Sequence, residues 1–506
     1  MRTVLLVGLV AVVFLSASRL PAEEDFSAAK KRLDAAFHPG KPAQDRLDSV
    51  FEIGTFDTRD AAKLLVKSIK AQDQIVTPLV EEKQELDEEI NRILGPKMLD
   101  KERMLPEGVG DTLRRKKRRS AELTERLDNE HKVFEEIEIS IGRYTNERTV
   151  EWLARTGTDD KHWRARLIVI RALGEIANPT TAKHIVSAIG DSDNRVKSAA
   201  AQVAGKMKIA DALKPLLKLL DDKVWTVRAA AIEALGDIGE KGAVGPLIEQ
   251  IEEEEGRLRE DCAQALAKLT GQQFGQAVGA WKKWWEENKH EYGGDDGKPL
   301  GGHPPDRPRD AGKGYYGIPV VTGKAIFILD VSGSMSKSTK DASRDPTQGE
   351  ISKIERAKRE LTRVITNFTS KGKFNLIIFN DVVKAWREAM VPATKANKAA
   401  AQDWVKSLGA TSSTNIYDAL EKAFKIAGLG VNDKHYKAEA DTIFLLSDGS
   451  PTKPSGEADD WEKILRAVRQ WNQLKKVTIH AIGVGGHNVA FMSRLAAENN
   501  GRYVSK

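Results

Sequence analysis

Apolar positions recur along this chain with several distinct periods, and each period predicts a different structure. From Gln44 to Lys70 they fall at helical spacing on either side of Ile53-Gly54, predicting two amphipathic helices. From Gln74 to about Glu136, Ile75, Leu79, Leu86, Ile90, Ile93, Leu113, Leu123, Leu127 and Phe134 recur mostly three, four or seven residues apart in a charged background. Breaks at Leu94-Gly95-Pro96 and Pro106-Glu107-Gly108 divide this stretch, so it reads as an antiparallel helical hairpin of coiled-coil character. Between Trp163 and Asn288 a longer period takes over. Gly174, Gly205 and Gly236 lie 31 residues apart, with Ala267 in the next place. Arg166, Lys197, Arg228 and Arg259 keep that interval, as do Ile185, Leu216, Leu247 and Val278. A fixed period with two amphipathic helices per unit predicts a solenoid of stacked helical pairs. Gly142 with Leu153, and Gly54 with Leu65, repeat the internal spacing of eleven. The hairpin at 70–134 therefore reads as an insertion between the first and second units of a repeat region spanning 26–290. Cys262 shares its register with Val169, Ala200 and Ala231, which marks it as a small core residue. Trp281, Trp284 and Trp285, at helical spacing, read as a cap over the last core.

Glycine and proline dominate 291–319, a linker that is expected to pack back through Tyr315 and Tyr316. Beyond it the period changes again. Ala325–Leu329 is a continuous apolar run, the pattern of a strand buried on both faces of a parallel sheet. Strands at 374–379, 382–386, 441–447, 477–482 and 502–504 alternate with helices at 353–368, 395–408, 416–426, 461–474 and 489–498. An Asn380-Asp381 turn joins two of the strands as a hairpin. The predicted fold class is multidomain: an all-α helical-repeat solenoid with an inserted coiled-coil hairpin, followed by an α/β doubly wound, Rossmann-like domain at 320–506.

The chemistry lies where the first of these strands ends. Asp330-Val-Ser332-Gly-Ser334 places one carboxylate and two hydroxyls on a short loop at the carboxyl edge of the sheet, where open α/β sheets bind ligands. Hard oxygen donors suit a hard divalent cation. No G-x-S-x-G elbow accompanies the serines, and no H-E-x-x-H pair occurs. Gly483-Val-Gly485-Gly486 follows a strand but lacks the spacing of a dinucleotide loop. Two later segments add donors: Ser413-Thr414-Asn415 before a helix, and Ser447-Asp448-Gly449 after a strand.

With these three segments in order, 320–506 resembles the von Willebrand factor type A family and its metal-ion-dependent adhesion site. The resemblance implies that Ser332, Ser334 and Thr414 touch a metal through their hydroxyls, while Asp330 and Asp448 hold coordinating waters. It implies Mg²⁺, with Mn²⁺ or Ca²⁺ as alternatives, and a protein partner whose Glu or Asp carboxylate fills an open coordination position. The repeat region resembles HEAT repeats of a short type. In relatives that switch affinity, a helix after the last strand moves. Here only Ser505 and Lys506 follow that strand, so binding is expected not to be regulated in that way.

Composition narrows the rest. The 506 residues carry a formal net charge of +6, too mild to imply nucleic acid, and a single cysteine, which excludes internal disulfides. A basic start, the apolar run Val4–Leu15 and the small residues up to Ala22 predict a secretory signal peptide over 1–22. An uncleaved anchor is the rival reading. The protein is then exported, to the periplasm, the exterior or the cell surface, with no further membrane span. The leading function is non-enzymatic, metal-dependent protein binding or assembly. A purely structural scaffold, binding of a polyanion or envelope surface through Arg114–Arg119, and a chelatase-like accessory subunit, which export disfavours, are the alternatives. Oligomeric state is left open.

Overall fold

The structure, a computed structural model, describes residues 23–94, 108–292, 314–339, 351–410, 414–428, 439–452, 458–472 and 477–506. The expected signal peptide, the centre of the helical hairpin, most of the linker, the middle of the 337–352 loop and Ser413 lie outside these residues. Two compact units divide the chain, Met1–Thr149 and Val150–Lys506.

The first unit is helical: α1 (Glu23–Ala36), α2 (Ala43–Gly54), α3 (Arg59–Leu94) and α4 (Val109–Gly142). Helices α3 and α4 pack antiparallel, as the ion pairs Lys116–Glu89 and Arg119–Glu82 and the Ser120–Asp87 hydrogen bond require. Neither helix breaks at the expected limits of an insertion, 70 and 134. Each arm of the hairpin continues a repeat helix, so the apolar stripe runs through without a seam. At their root Arg46, 2% exposed, donates to both carboxylate oxygens of Glu130 at 2.6 and 2.5 Å. Gln72 donates to the same carboxylate and to the Glu130 carbonyl. A single buried ion pair therefore ties α2, α3 and α4 together.

The second unit opens with helical pairs. Helix α5 (Glu147–Trp152) leads through a π turn to α6 (Trp163–Ile176), α7 (Ala182–Ala188), α8 (Asn194–Lys206), α9 (Leu213–Leu219), α10 (Trp225–Ile238), α11 (Val244–Glu253), α12 (Gly256–Thr270) and α13 (Val278–Tyr292). The 31-residue glycines mark where neighbouring repeats touch. A Cβ on Gly174 would stand 2.9 Å from Val203 Cγ2, one on Gly205 2.9 Å from Ala234 Cα, and one on Gly236 3.0 Å from Ala265 Cα. The basic positions form a ladder: Arg166 pairs with Asp191, Lys197 with Asp222 and Arg228 with Glu254. Arg259 ends it by donating to the carbonyls of Ile251 and Glu252. Cys262 is fully buried. Trp281 closes the last core, with its indole N–H on the Gly275 carbonyl at 2.8 Å and its ring edge-on to Phe274.

The sheet contains β1 (Lys324–Asp330), β4 (Lys373–Phe379), β5 (Val383–Ala385), β6 (Val391–Pro392), β7 (Thr442–Ser447), β8 (Thr478–Gly483) and β9 (Tyr503–Ser505), while β2 (Ser338–Thr339) and β3 (Ile351–Ser352) form a separate pair. Its order is β5-β4-β1-β7-β8-β9, with β6 beside β4. Strand β1 runs parallel to β4 and β7, and β8 parallel to β7 and β9, while β5 and β6 are antiparallel to β4. Helices α14 (Lys353–Asn367) and α15 (Lys395–Lys406) cover one face over Phe327, Leu329 and Phe444. Helices α16 (Ile416–Ala427), α17 (Trp461–Trp471) and α18 (Val489–Glu498) cover the other over Ile326, Ile328 and Leu445. Such cover explains the unbroken apolar run of β1, since successive side chains enter opposite cores. Tyr315, fully buried, packs edge-on to Phe327 and Phe444, the return of the linker that the sequence predicts. Among the described residues no helix is long and apolar enough to cross a membrane.

Candidate metal centre

Parallel strands bring their carboxyl ends to one edge, and register decides which residues meet there. Leu329 faces Leu446, so the next residues along, Asp330 and Ser447, are neighbours. Ser447 Oγ donates to Asp330 Oδ2 at 2.6 Å, and the Ser332 amide donates to Asp330 Oδ1 at 2.8 Å. Ser332 and Ser334 share a hydroxyl contact of 3.1 Å, and Ser334 Oγ donates to Asp448 Oδ1 at 2.6 Å. Asp330, Ser332, Ser334 and Asp448 thus form one hydrogen-bonded chain, with both carboxylates almost wholly buried. Burial pushes the Asp330 carboxyl up to about 6; bonds from Ser332 and Ser447 oppose that rise, and the charge of Asp448 adds to it.

Thr414 joins from the opposite loop. Its amide donates to Thr452 Oγ1 at 2.8 Å, and its carbonyl accepts from the Thr452 amide at 2.9 Å. The Asn415 amide reaches the Asn380 carbonyl at the end of β4, and the Asn415 side chain caps α16 by accepting from the Asp418 amide. So held, the Thr414 hydroxyl lies over the turn after Asp448, 3.3 Å from where a Cβ on Gly449 would stand. All five residues expected of a metal site stand at this one edge.

Two neighbours were not anticipated. Ser447 enters through strand order. The second is Lys353, the first residue of α14, whose ammonium donates to Asp448 Oδ2 at 2.6 Å with only 10% of its side chain exposed. Gly485, at φ +69°, makes room for it: a Cβ there would stand 2.8 Å from Lys353 Nζ. Of the glycines at the end of β8, Gly485 is the one that accommodates this lysine, while a Cβ on Gly483 would meet His487 instead.

The donor set is two carboxylates and three hydroxyls, all hard oxygens and none of them imidazole or thiolate. Among the described residues no cluster of three or more His, Cys, Asp or Glu could hold a metal ion, at this edge or elsewhere. The chemistry fits a hard divalent ion held largely through hydroxyls and water. In the first unit, the basic run is largely neutralised: Arg114 pairs with Asp111, Lys116 with Glu89, Arg118 with Glu122, and Arg119 with Glu82.

Comparison with known proteins bears on two parts of the chain. The family model for the von Willebrand factor type A domain matches residues 324–505, and that for HEAT repeats matches 120–204 and 182–267. The chain carries both modules. The first HEAT match begins inside α4, which agrees with that helix being part of a repeat. Inter-alpha-trypsin inhibitor heavy chain H3 of Mus musculus is 32% identical over 189 residues, 37% of this chain and 19% of that protein. Heavy chain H1 of Homo sapiens is 28% identical over 181 residues, 35% and 18% of the two. The chain therefore spans about a fifth of the length of these relatives. A solved von Willebrand factor type A protein from Catenulispora acidiphila is 20% identical over 36% of this chain and 38% of that one, at a TM-score of 0.27, too low to bear on function.

Proposed function

We propose that Asp330, Ser332, Ser334, Thr414 and Asp448 hold a divalent cation, Mg²⁺ in the first instance, and that the α/β domain uses it to bind a Glu or Asp carboxylate of a protein partner outside the cytoplasm. The observation that carries this reading is the hydrogen-bonded chain from Asp330 through Ser332 and Ser334 to Asp448, with Thr414 beside it. Hydroxyls and water-bridging carboxylates leave most of the ion's charge unquenched, so an incoming anion is attracted to an open position. The von Willebrand factor type A domain and the heavy-chain relatives support an interaction role. A scaffold that acts through the repeats alone is the second reading, favoured by the ordered ion-pair ladder along them. The polyanion reading is weakened by the acidic partners of the basic run.

Titration calorimetry with Mg²⁺ and Mn²⁺ on the full chain and on Asp330→Asn tests the site. Asn keeps the size of the buried carboxyl, so the expected result is a folded variant with metal affinity lowered at least a hundredfold. Equal affinity in the two proteins refutes the assignment. Partner capture that is unchanged by chelator shifts the function to the repeats.

A further inference from the structure

Each carboxylate oxygen of Asp448 already has a donor. Oδ1 accepts from Ser334, a residue of the metal loop, but Oδ2 accepts from the ammonium of Lys353, which is not. This lysine is not a drifting surface charge. It starts α14, where the Ser352 side chain caps the helix by accepting from the Glu355 amide, and its own amide donates to the Lys337 carbonyl at 3.1 Å. Its stem lies against Gly485, where any Cβ would collide with it. A buried, fixed positive charge one hydrogen bond from a metal-site carboxylate must enter the electrostatics of whatever binds there, because such charges are poorly screened.

We infer that Lys353 sets the charge balance of the site, weakening its hold on the metal and strengthening the hold of the metal-loaded site on an acidic ligand. This rests on the metal reading proposed above. With Asp330 and Asp448 ionised and Lys353 charged, the empty site carries one net negative charge instead of two. A divalent ion takes it to one net positive charge, and a carboxylate from a partner brings it to neutrality. Without the lysine the loaded site is already neutral, and an incoming carboxylate leaves it negative. The lysine makes the metal easier to lose and the acidic ligand harder to lose. Lys353 is a positioning and charge-setting residue, not a metal ligand.

The test uses the full chain and its Lys353→Met variant, which keeps the length of the side chain without its charge. Mn²⁺ titration calorimetry is expected to show at least tenfold tighter Mn²⁺ binding by the variant. With both proteins saturated in Mn²⁺, titration with acetate followed by water-proton relaxation is expected to show the wild type taking acetate at least fivefold more tightly. Equal Mn²⁺ affinities, or weaker binding by the variant, overturn the inference while leaving the metal site standing. Failure of both proteins to bind Mn²⁺ overturns the metal reading and this inference together. Should Lys353→Met be unfolded by circular dichroism, Lys353→Gln carries the same expectations, since its amide still donates to Asp448 without charge.

Discussion

Gly205 offers the sharpest test of the repeat packing, since replacing it by alanine sets two known effects against each other. In the last turn of α8, alanine should stabilise the helix by at most about 1 kcal/mol through propensity alone. The new methyl, however, would stand 2.9 Å from Ala234 Cα and 3.2 Å from Ala234 Cβ on α10. Comfortable carbon–carbon separations are about 3.5–4.0 Å, so the helices must part by roughly half an ångström or more. The obstacle is backbone and cannot rotate aside. Overpacking of this kind costs about 1–3 kcal/mol, and parting the helices also loosens contacts along the rest of the interface. The expected net result is destabilisation by about 1–2 kcal/mol. Gly174→Ala should cost less, because its obstacle is the Val203 side chain, which can tilt. Gly279→Ala in α13 meets nothing within 4 Å and should be neutral or slightly stabilising. Urea denaturation of the three variants, followed by circular dichroism at unchanged m-value, reads the differences directly. A Gly205→Ala midpoint at or above that of Gly279→Ala would refute the close crossing of α8 and α10, and with it the reason for the 31-residue glycines.

The remaining predictions concern buried charge. Glu130→Ala leaves Arg46 charged and 2% exposed, with only the Ala36 and Lys41 carbonyls as acceptors; it should destabilise the first unit by about 3–5 kcal/mol, measured by urea denaturation. Asp261 in α12 is pushed up to about 6, chiefly by burial, with Arg257 opposing and Glu233, Asp441 and Glu260 adding to the rise. Its folded pKa lies above the unfolded value near 3.9, so the folded state holds the proton more tightly, and stability is lost as pH rises from about 4 through 6. Asp261→Asn should therefore come close to the wild type near pH 4 and exceed it by about 3 kcal/mol at pH 7. Thermal melts across that range check this, and a gap that does not widen with pH would show that Asp261 ionises without penalty.

What could be read in the sequence follows from what is local. The apolar run of β1 and the oxygens after it lie in ten contiguous residues, so strand, edge and donor type were visible together. The 31-residue period was visible because every repeat must leave the same gap for its neighbour, and only glycine leaves it at Gly174, Gly205 and Gly236. Ser447 as a partner of Asp330 was not visible, because it depends on β7 lying beside β1 and in which register. Lys353 escaped for the same reason, since it meets Asp448 only through the folded course of the chain, 95 residues apart in sequence. The limits at 70 and 134 leave no mark on the helices, because α3 and α4 run through them unbroken. The basic residues at period 31 were legible, but their acids at Asp191, Asp222 and Glu254 come from the following helix–helix turns, a pairing that needs the stacked geometry.

The two ends of β7 hold different things, and this bears on how the repeats and the metal centre can affect each other. At its start, Arg257 of α12 donates to the Asp441 carbonyl at 3.3 Å, and Thr322 bonds the Asp441 carboxylate. Gly256, at φ +61°, brings the last repeat so close that a Cβ would stand 3.2 Å from the Gly323 amide nitrogen. The strand then runs six residues, about 20 Å, to Ser447 and the metal edge. All six residues are buried, and β7 is paired in parallel on both sides. A slip of one residue would turn every side chain to the wrong face and break both ladders, so β7 cannot slide as a signal rod. Among the described residues the repeat contact therefore meets the sheet at the edge opposite the site. A partner that touches both surfaces would bind more tightly through effective concentration, with the geometry of the centre unaltered.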